Sequence, residues 1–305
     1  MMISVVIPAY NEAGNIKVIS QKIADQLEKV YSYEIIFVDD GSTDSTLREI
    51  KEVAKNNASV KYISFSRNFG HQRALKAGLD HAGGDCVISM DADLQHPPGL
   101  ITGLIKKWKE GYDVVYTVRR DIQDIGFFKK ITSKIFYKLI NKISDVDIPL
   151  GSADFRLLDK KVVNELRKFR EDGLFIRGLV SWLGYNQTGI EYDIQSRHSG
   201  SSKYTLGMMT SFAVQGITSF SIVPLRISVM VGFFISFCSF LYTTYALVTK
   251  FYFKTALPGW TSILISVLFL GGIQLIFLGL IGEYLGKMFI QTKNRPNYVI
   301  KEKSL

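Results

Sequence analysis

Two long stretches without a charged residue, Ile227–Thr249 and Thr255–Gly282, limit this chain more than any other feature. A helix needs about 20 mainly apolar residues to cross the hydrocarbon core of a bilayer, and buried helices of soluble domains rarely run so long uncharged. The stretches predict two membrane-spanning helices, about 227–249 and 262–282, within a region 226–286. Each would satisfy its backbone internally. Lys287, Lys293, Arg295, Lys301 and Lys303 follow, so 287–305 reads as a basic tail on the cytoplasmic side, a rule weakened slightly by Lys250 and Lys254. Ile3–Ile7 lacks the length and the preceding basic residue of a signal peptide, and Pro8 closes it. The N-terminal domain is therefore expected to stay in the cytoplasm, and two spans return the tail to it. Tyr204–Leu225 is also uncharged, but Gln215 and several Ser, Thr and Gly predict a juxtamembrane helix over 204–225, with a third span as the alternative.

Residues 1–203 read as a soluble α/β domain. Apolar runs of strand length occur at Ile3–Ile7, Glu34–Val38, Val60–Phe65, Cys86–Met90 and Val114–Thr117. Helical patterns separate them at about 13–30, 45–56, 70–82 and 100–110. Near-continuous apolar strands with helical crossovers imply a mostly parallel sheet with helices on both faces. Ligands of such sheets bind beyond the carboxyl ends of the strands. Phe127–Ile143 differs. Ile131, Ile135, Leu139 and Ile143 form one stripe and Lys130, Lys134, Lys138 and Lys142 another, so 127–143 predicts a basic amphipathic helix lying in a membrane interface. A core-facing helix with a solvated lysine face is the alternative.

The net charge of +9 is assigned to an anionic lipid surface rather than to nucleic acid, because of the neighbouring spans. Cys86 and Cys238 have no metal-ligand spacing or evident disulfide partner, which fits a reducing compartment. His71, His81, His96 and His198 form no HExxH pattern.

Asp91-Ala92-Asp93 closes an apolar strand. Residues i and i+2 of an extended strand face the same way, so the two carboxylates are expected to converge. Buried carboxylates repel unless a cation lies between them, and hard oxygen donors suit Mg²⁺ or Mn²⁺, with Gln95 as a third ligand. Asp39-Asp40-Gly41-Ser42-Thr43-Asp44 also follows an apolar strand. Gly41 allows a turn and Ser42 or Thr43 could cap a helix, but capping does not require two adjacent aspartates. A carboxylate there could accept the imide N–H of uracil or the N1–H of guanine.

Val5-Val-Ile-Pro-Ala-Tyr-Asn-Glu12, Val38-Asp-Asp-Gly-Ser-Thr-Asp44 and Met90-Asp-Ala-Asp-Leu-Gln95, in that order, resemble family 2 glycosyltransferases of the GT-A fold. Gly151-Ser-Ala-Asp-Phe-Arg-Leu157, Arg197-His-Ser-Gly-Ser-Ser-Lys-Tyr204 and the terminal pair of spans narrow the likeness to the polyprenyl-phosphate subgroup. Within it the spans are most similar to those of bactoprenol glucosyltransferases, and dolichol-phosphate mannose synthases are also similar. The resemblance covers nearly the whole chain. It implies that Pro8, Tyr10, Asn11, Glu12, Asp39 and Asp40 hold a nucleotide and that Asp91, Asp93 and Gln95 hold Mg²⁺ or Mn²⁺. Arg197, Ser202 and Lys203 would neutralise diphosphate, and Arg119, Lys130 and Ser133 would meet the acceptor phosphate. Asp154 takes the position often assigned as base, with Arg156 beside it; a buried structural pair is the alternative. The implied partners are a nucleotide-diphosphate sugar, a polyprenyl phosphate and membrane lipids, in the cell (inner) membrane. UDP-glucose and undecaprenyl phosphate are the first choice, with inversion at the anomeric carbon.

A processive polysaccharide synthase shares the first three motifs, but usually carries a Gln-x-x-Arg-Trp motif that Gly178–Gly184 around Trp182 does not reproduce. Two further readings compete: a GDP-mannose-dependent mannosyltransferase acting on dolichol or polyprenol phosphate, and an inactive lipid-binding scaffold. Gly271, Gly272, Gly279 and Gly282 permit close helix contacts and hence a homo-oligomer, without requiring one.

Overall fold

The apolar runs become strands and the amphipathic ones helices, in alternation. A computed structural model describes residues 1–120, 149, 152–171, 174–193, 223–252 and 259–305. The chain forms two compact units, Met1–Gly216 with Arg295–Leu305, and Ile217–Asn294.

In the first unit β1 (Met2–Ala9), α1 (Ile16–Leu27), β2 (Ser32–Asp39), α2 (Thr46–Asn56), β3 (Val60–Phe65), α3 (His71–His81) and β4 (Cys86–Ser89) alternate. They are followed by α4 (Ile101–Lys109), β5 (Val114–Arg119), β6 (Ser152–Asp159), α5 (Lys160–Lys168), α6 (Ile176–Trp182) and β7 (Gln187–Tyr192). The last strand, β8 (Ile300–Lys303), comes from the tail. One sheet contains all eight strands in the order β7-β5-β6-β4-β1-β2-β3-β8. β4, β1, β2 and β3 are mutually parallel, as the long apolar runs predict. Val5, Val6 and Ile7 on β1 and Ile35 to Val38 on β2 have no solvent exposure, so both faces of the central sheet are covered. Ile16, Ile19, Ile23 and Leu27 of α1 join Ile3, Val5 and Ile7 in the main core, while Gly78 of α3 lies against Val6 on the other face.

β6 is where the fold departs from the parallel pattern. It inserts antiparallel between β4 and β5, pairing Ser89 with Arg156 and Tyr116 with Arg156. Because β6 runs opposite to β4, its first residues lie at the end where β4 finishes. That reversal carries Asp154 to the carboxyl end of the parallel strands. β8 is antiparallel on the other edge, against β3, so part of the expected tail is a sheet strand.

The second unit contains α7 (Val223–Phe251) and α8 (Trp260–Thr292), both long and apolar enough to cross a membrane. Each outruns the stretch read from charge alone; α8 continues through Glu283 and Lys287, since a helix need not stop at the edge of the hydrocarbon. Pro224 lies in the first turn of α7, where its missing N–H removes no helical hydrogen bond. The expected helix at 127–143 and most of 204–225 lie outside the described residues.

Candidate active site

The strand ends β1, β2 and β4 deliver three acidic loops to one edge of the sheet. After β1, Asn11 adopts a left-handed backbone with φ of 53°. Its N–H donates to Ser42 Oγ at 3.0 Å and its side-chain oxygen accepts the Thr43 N–H at 2.8 Å. Glu12 N–H donates to Thr46 Oγ1 at 2.8 Å. Ser42 and Thr43 therefore do not cap α2, contrary to the expectation from their type. They tie the β1 loop to the β2 loop, and the Asp44 carboxylate accepts the Thr46 N–H at 2.9 Å instead. Tyr10, Asn11 and Glu12 are partly exposed on this lip, while Pro8 is buried.

Asp39 and Asp40 sit inside, 1% and 3% exposed. Asp39 accepts the Ser42 N–H at 3.1 Å and the Ser64 hydroxyl at 2.9 Å. Asp40 accepts the N–H groups of Phe69 at 2.7 Å and Gly70 at 2.9 Å. The pair organises two different loops. Burial raises the Asp40 carboxyl, and the two N–H groups oppose that without cancelling it.

Asp91 and Asp93 follow β4 but are not on it, because the strand ends at Ser89 and residues 92–93 form a turn. Strand alternation is thus not what orients them. Leu94 takes a φ of 61°, and Asp93 Oδ1 accepts the Gln95 N–H at 3.1 Å, which closes the turn. Asp91 Oδ1 lies 2.9 Å from His71 Nε2. His96, fully buried and stacked on Phe155 at 5.2 Å, accepts the Asp91 N–H through Nδ1 at 3.2 Å. Burial alone would lower the His71 pKa; the bond to Asp91 and the charges of Asp91, Asp154 and Asp40 outweigh it and push it up to about 9.

Among the described residues, no group of three or more His, Cys, Asp and Glu is placed to hold a metal. Two partly exposed carboxylates in one turn fit Mg²⁺ or Mn²⁺ of another kind. Such an ion keeps several waters and takes further oxygens from a phosphate ligand, so a protein cage is not required. Asp91 and Asp93 are the residues that would hold it; the Gln95 side chain is partly exposed beside them.

Asp154, on β6, faces two guanidiniums. Arg177 Nη2 lies 3.1 Å from its Oδ1 and Arg156 Nη2 lies 3.8 Å away. Arg156 is 4% exposed and also donates to the Ala153 carbonyl at 2.9 Å. Burial would raise the Asp154 carboxyl; Arg177 first and Arg156 second outweigh it, so the group stays below the ordinary carboxylate range. Arg177 comes from α6, which Gln72 ties to the start of α3 by accepting the Ile176 N–H at 3.0 Å.

His71, His96, Gln72 and Arg177 were not singled out by the sequence. Gly70, with a φ of 101°, marks the start of α3 and is the one local signal that could have directed attention to His71. Of Arg119 only the backbone at the end of β5 is described, pairing with Tyr192. Lys130, Ser133, Arg197, Ser202 and Lys203 lie outside the described residues.

The family model described as Glycosyl transferase family 2 matches residues 4–167, and the one described as GtrB C-terminal hairpin matches 223–288. The chain belongs to glycosyltransferase family 2. Its relatives align with nearly the whole chain. The bactoprenol glucosyl transferase of Shigella phage SfII is 43% identical over 99% of this chain and 98% of its own. A Bacillus subtilis (strain 168) protein known only as the uncharacterized glycosyltransferase YkcC is 42% identical over 98% of this chain and 93% of its own. For the fold, mannosyl-3-phosphoglycerate synthase from Rubrobacter xylanophilus superposes with a TM-score of 0.50 at 20% identity, covering 74% of each chain. This glycosyltransferase thus has the GT-A sheet, extended by two apolar helices that the hairpin family also recognises.

Proposed function

We propose that this family 2 glycosyltransferase moves glucose from UDP-glucose to a polyprenyl phosphate such as undecaprenyl phosphate, with Mg²⁺ or Mn²⁺, inverting the anomeric carbon at the cytoplasmic face of the cell membrane. The observation that carries the reading is the meeting of Asp91, His71, Asp154 and Arg177 at the carboxyl end of the sheet. The likeness to proteins named bactoprenol glucosyl transferase, which runs through the hairpin, supplies the choice of sugar and acceptor. The glycines of the second candidate span permit the close helix contacts of a homo-oligomer without requiring one.

An acceptor phosphate oxygen attacks C1 from the face opposite the leaving group. The C1–O bond to the donor breaks and its electron pair leaves on the diphosphate. A phosphate monoester has a second pKa near 6 and is largely a dianion at neutral pH, so the attack needs no proton removed. Asp154, kept ionised by Arg177 and Arg156, serves better as a fixed charge and as an anchor for those guanidiniums than as a base. Asp91 and Asp93 would hold a divalent ion, which would supply charge neutralisation for the leaving diphosphate. In this reading Tyr10, Asn11 and Glu12 form the lip of the nucleotide site, with Pro8, Asp39 and Asp40 buried within it. Arg197, Ser202 and Lys203 serve the diphosphate, and Arg119, Lys130 and Ser133 the acceptor, on the resemblance alone.

The test is transfer from labelled UDP-glucose, UDP-galactose and GDP-mannose to undecaprenyl phosphate by the full chain in nanodiscs. UDP-glucose should be the substrate, EDTA should abolish transfer, and Mg²⁺ or Mn²⁺ should restore it. Asp93→Asn should lose at least about a hundredfold in kcat/KM while remaining folded. Full turnover in excess chelator, or a mannosyl product alone, contradicts the proposal.

A further inference from the structure

We infer that the tail beyond the second apolar helix is part of the donor site, with Tyr298 as a positioning residue for the loop that holds Asp40. The inference rests on the proposal that the lip at Tyr10–Glu12, with Asp39 and Asp40 buried within it, takes the donor nucleotide.

Residues 66–70 join β3 to α3 and serve the site three times over. The N–H groups of Phe69 and Gly70 grip both oxygens of Asp40. The backbone of Arg67 and Asn68 packs on Gly41, where an added Cβ would meet Arg67 C at 2.4 Å. The residue that follows the loop is His71, bound to Asp91. A displacement of this loop would therefore disturb the second acidic motif and the third together.

Tyr298 touches both elements that the loop connects. Its ring stacks on Phe65, the last residue of β3, with centroids 5.1 Å apart and planes 13° from parallel. Phe65 in turn meets the edge of the Phe69 ring at 5.6 Å. The Tyr298 hydroxyl donates to Asp80 Oδ2 at 3.0 Å, on the last turns of α3, where Asp80 also pairs with the buried Lys76. One side chain thus fixes the end of the strand before the loop and the helix after it.

The remaining tail contacts hold Tyr298 in place, and one of them reaches Ser66, the first residue of the loop. Ser66 N–H donates to the Val299 carbonyl at 3.0 Å, β8 pairs Ser64 with Glu302, and Lys51 pairs with Glu302 at 2.7 Å. Stacked aromatics and a hydrogen bond to a carboxylate are directional, so they set the loop's position as well as covering apolar surface.

The experiment uses the full chain in nanodiscs with Mg²⁺ and measures UDP affinity by calorimetry, donor and acceptor KM, kcat, and amide exchange at Phe69 and Gly70. Tyr298→Ala should weaken UDP and raise the donor KM about tenfold, with kcat and acceptor KM within about twofold of the parent. The two amides should exchange faster. Tyr298→Phe keeps the stack and loses the bond to Asp80, and should weaken UDP about threefold. Lys51→Ala, which loosens the far side of the tail, should leave UDP affinity within about twofold. A Tyr298→Ala protein that melts earlier but binds UDP like the parent overturns the inference, since a merely structural role would do that. If Tyr298→Ala does not fold, unchanged UDP affinity in Tyr298→Phe overturns it. Asp40→Asn separates the two levels. Parental UDP affinity in that variant, or none in the parent, sinks the donor-site reading and the inference with it. Loss in Asp40→Asn without loss in Tyr298→Ala sinks the inference alone.

Discussion

Asp154 lies within reach of two guanidiniums, and the pH dependence of its removal tells which role it plays. Its carboxyl is held below the ordinary range, so its folded-state pKa is lower than its unfolded one. The stability this contributes is present above the unfolded value of about 3.9 and is lost only as pH falls through the lower folded value. Nothing in Asp154 itself therefore titrates between pH 6 and 8. Asp154→Asn should lower kcat/KM by about a hundredfold or more, by a similar factor at every pH in that window, with donor and metal saturating. A mutant-to-parent ratio climbing about tenfold towards pH 8, as the acceptor dianion accumulates, would restore the general-base reading. Asp154 was reached only through the family resemblance, whereas Asp40, Asp91 and Asp93 were legible in the sequence because they follow apolar strands. Their partners were not. Asp39 and Asp40 sit side by side in the chain, yet Asp39, the last residue of β2, binds Ser64 of the neighbouring strand, while Asp40, just beyond the strand, binds the Phe69 and Gly70 amides.

Among the helices, α3 carries the most site chemistry, with His71 at its first residue and Gln72 at its second, and its distance from the sheet depends on one glycine. A Cβ at Gly78 would lie 2.1 Å from Val6 Cγ1, deep in the core on β1. Val6 is β-branched and its χ1 cannot swing aside cheaply, so the helix itself would have to move. Gly78→Ala should therefore destabilise the domain by about 1–3 kcal/mol and lower activity, read by denaturant unfolding and kcat/KM. Gly103 on α4 is the control. Its added Cβ would meet only Ile190 Cδ1, at an ordinary 3.8 Å, so Gly103→Ala should stabilise by about 0.4–1 kcal/mol. Equal effects at the two glycines would discard the packing argument. The parallel strands and their helices were legible from periodicity. β6 was not, because Asp154 and Arg156 interrupt its apolar pattern. Within the strand, the Ala153 carbonyl and Asp154 receive the buried Arg156 guanidinium.

For the molecule as a whole, the pairing of β8 with β3 constrains topology. The tail and the N-terminal strands belong to one sheet, and α7 and α8 lie between them in the chain. If both helices span, the crossings are even in number and the tail returns to the side it left. Impermeant maleimide should then label Lys17→Cys and Lys303→Cys from the same face of the membrane, the face that carries Asp40. Labelling from opposite faces would require a third crossing within 204–225 and a tail withdrawn from the sheet.

The sequence by itself determined what depends on near neighbours along the chain. Uninterrupted apolar stretches marked α7 and α8, strand-length apolar runs marked β1 to β5, and the acidic motifs behind three of those strands marked one edge of the sheet. Tertiary structure alone decided the pairs that give those motifs their chemistry: His71 with Asp91, Arg177 with Asp154, and Tyr298 with Phe65 and Asp80. It also decided that Ser42 and Thr43 bind the β1 loop instead of capping α2. These contacts join residues brought together by strand order, by the reversed direction of β6 and by the return of the tail to β3. Hydropathy and periodicity report only which way a side chain faces within its own element, so no local pattern encodes which partner waits across the sheet.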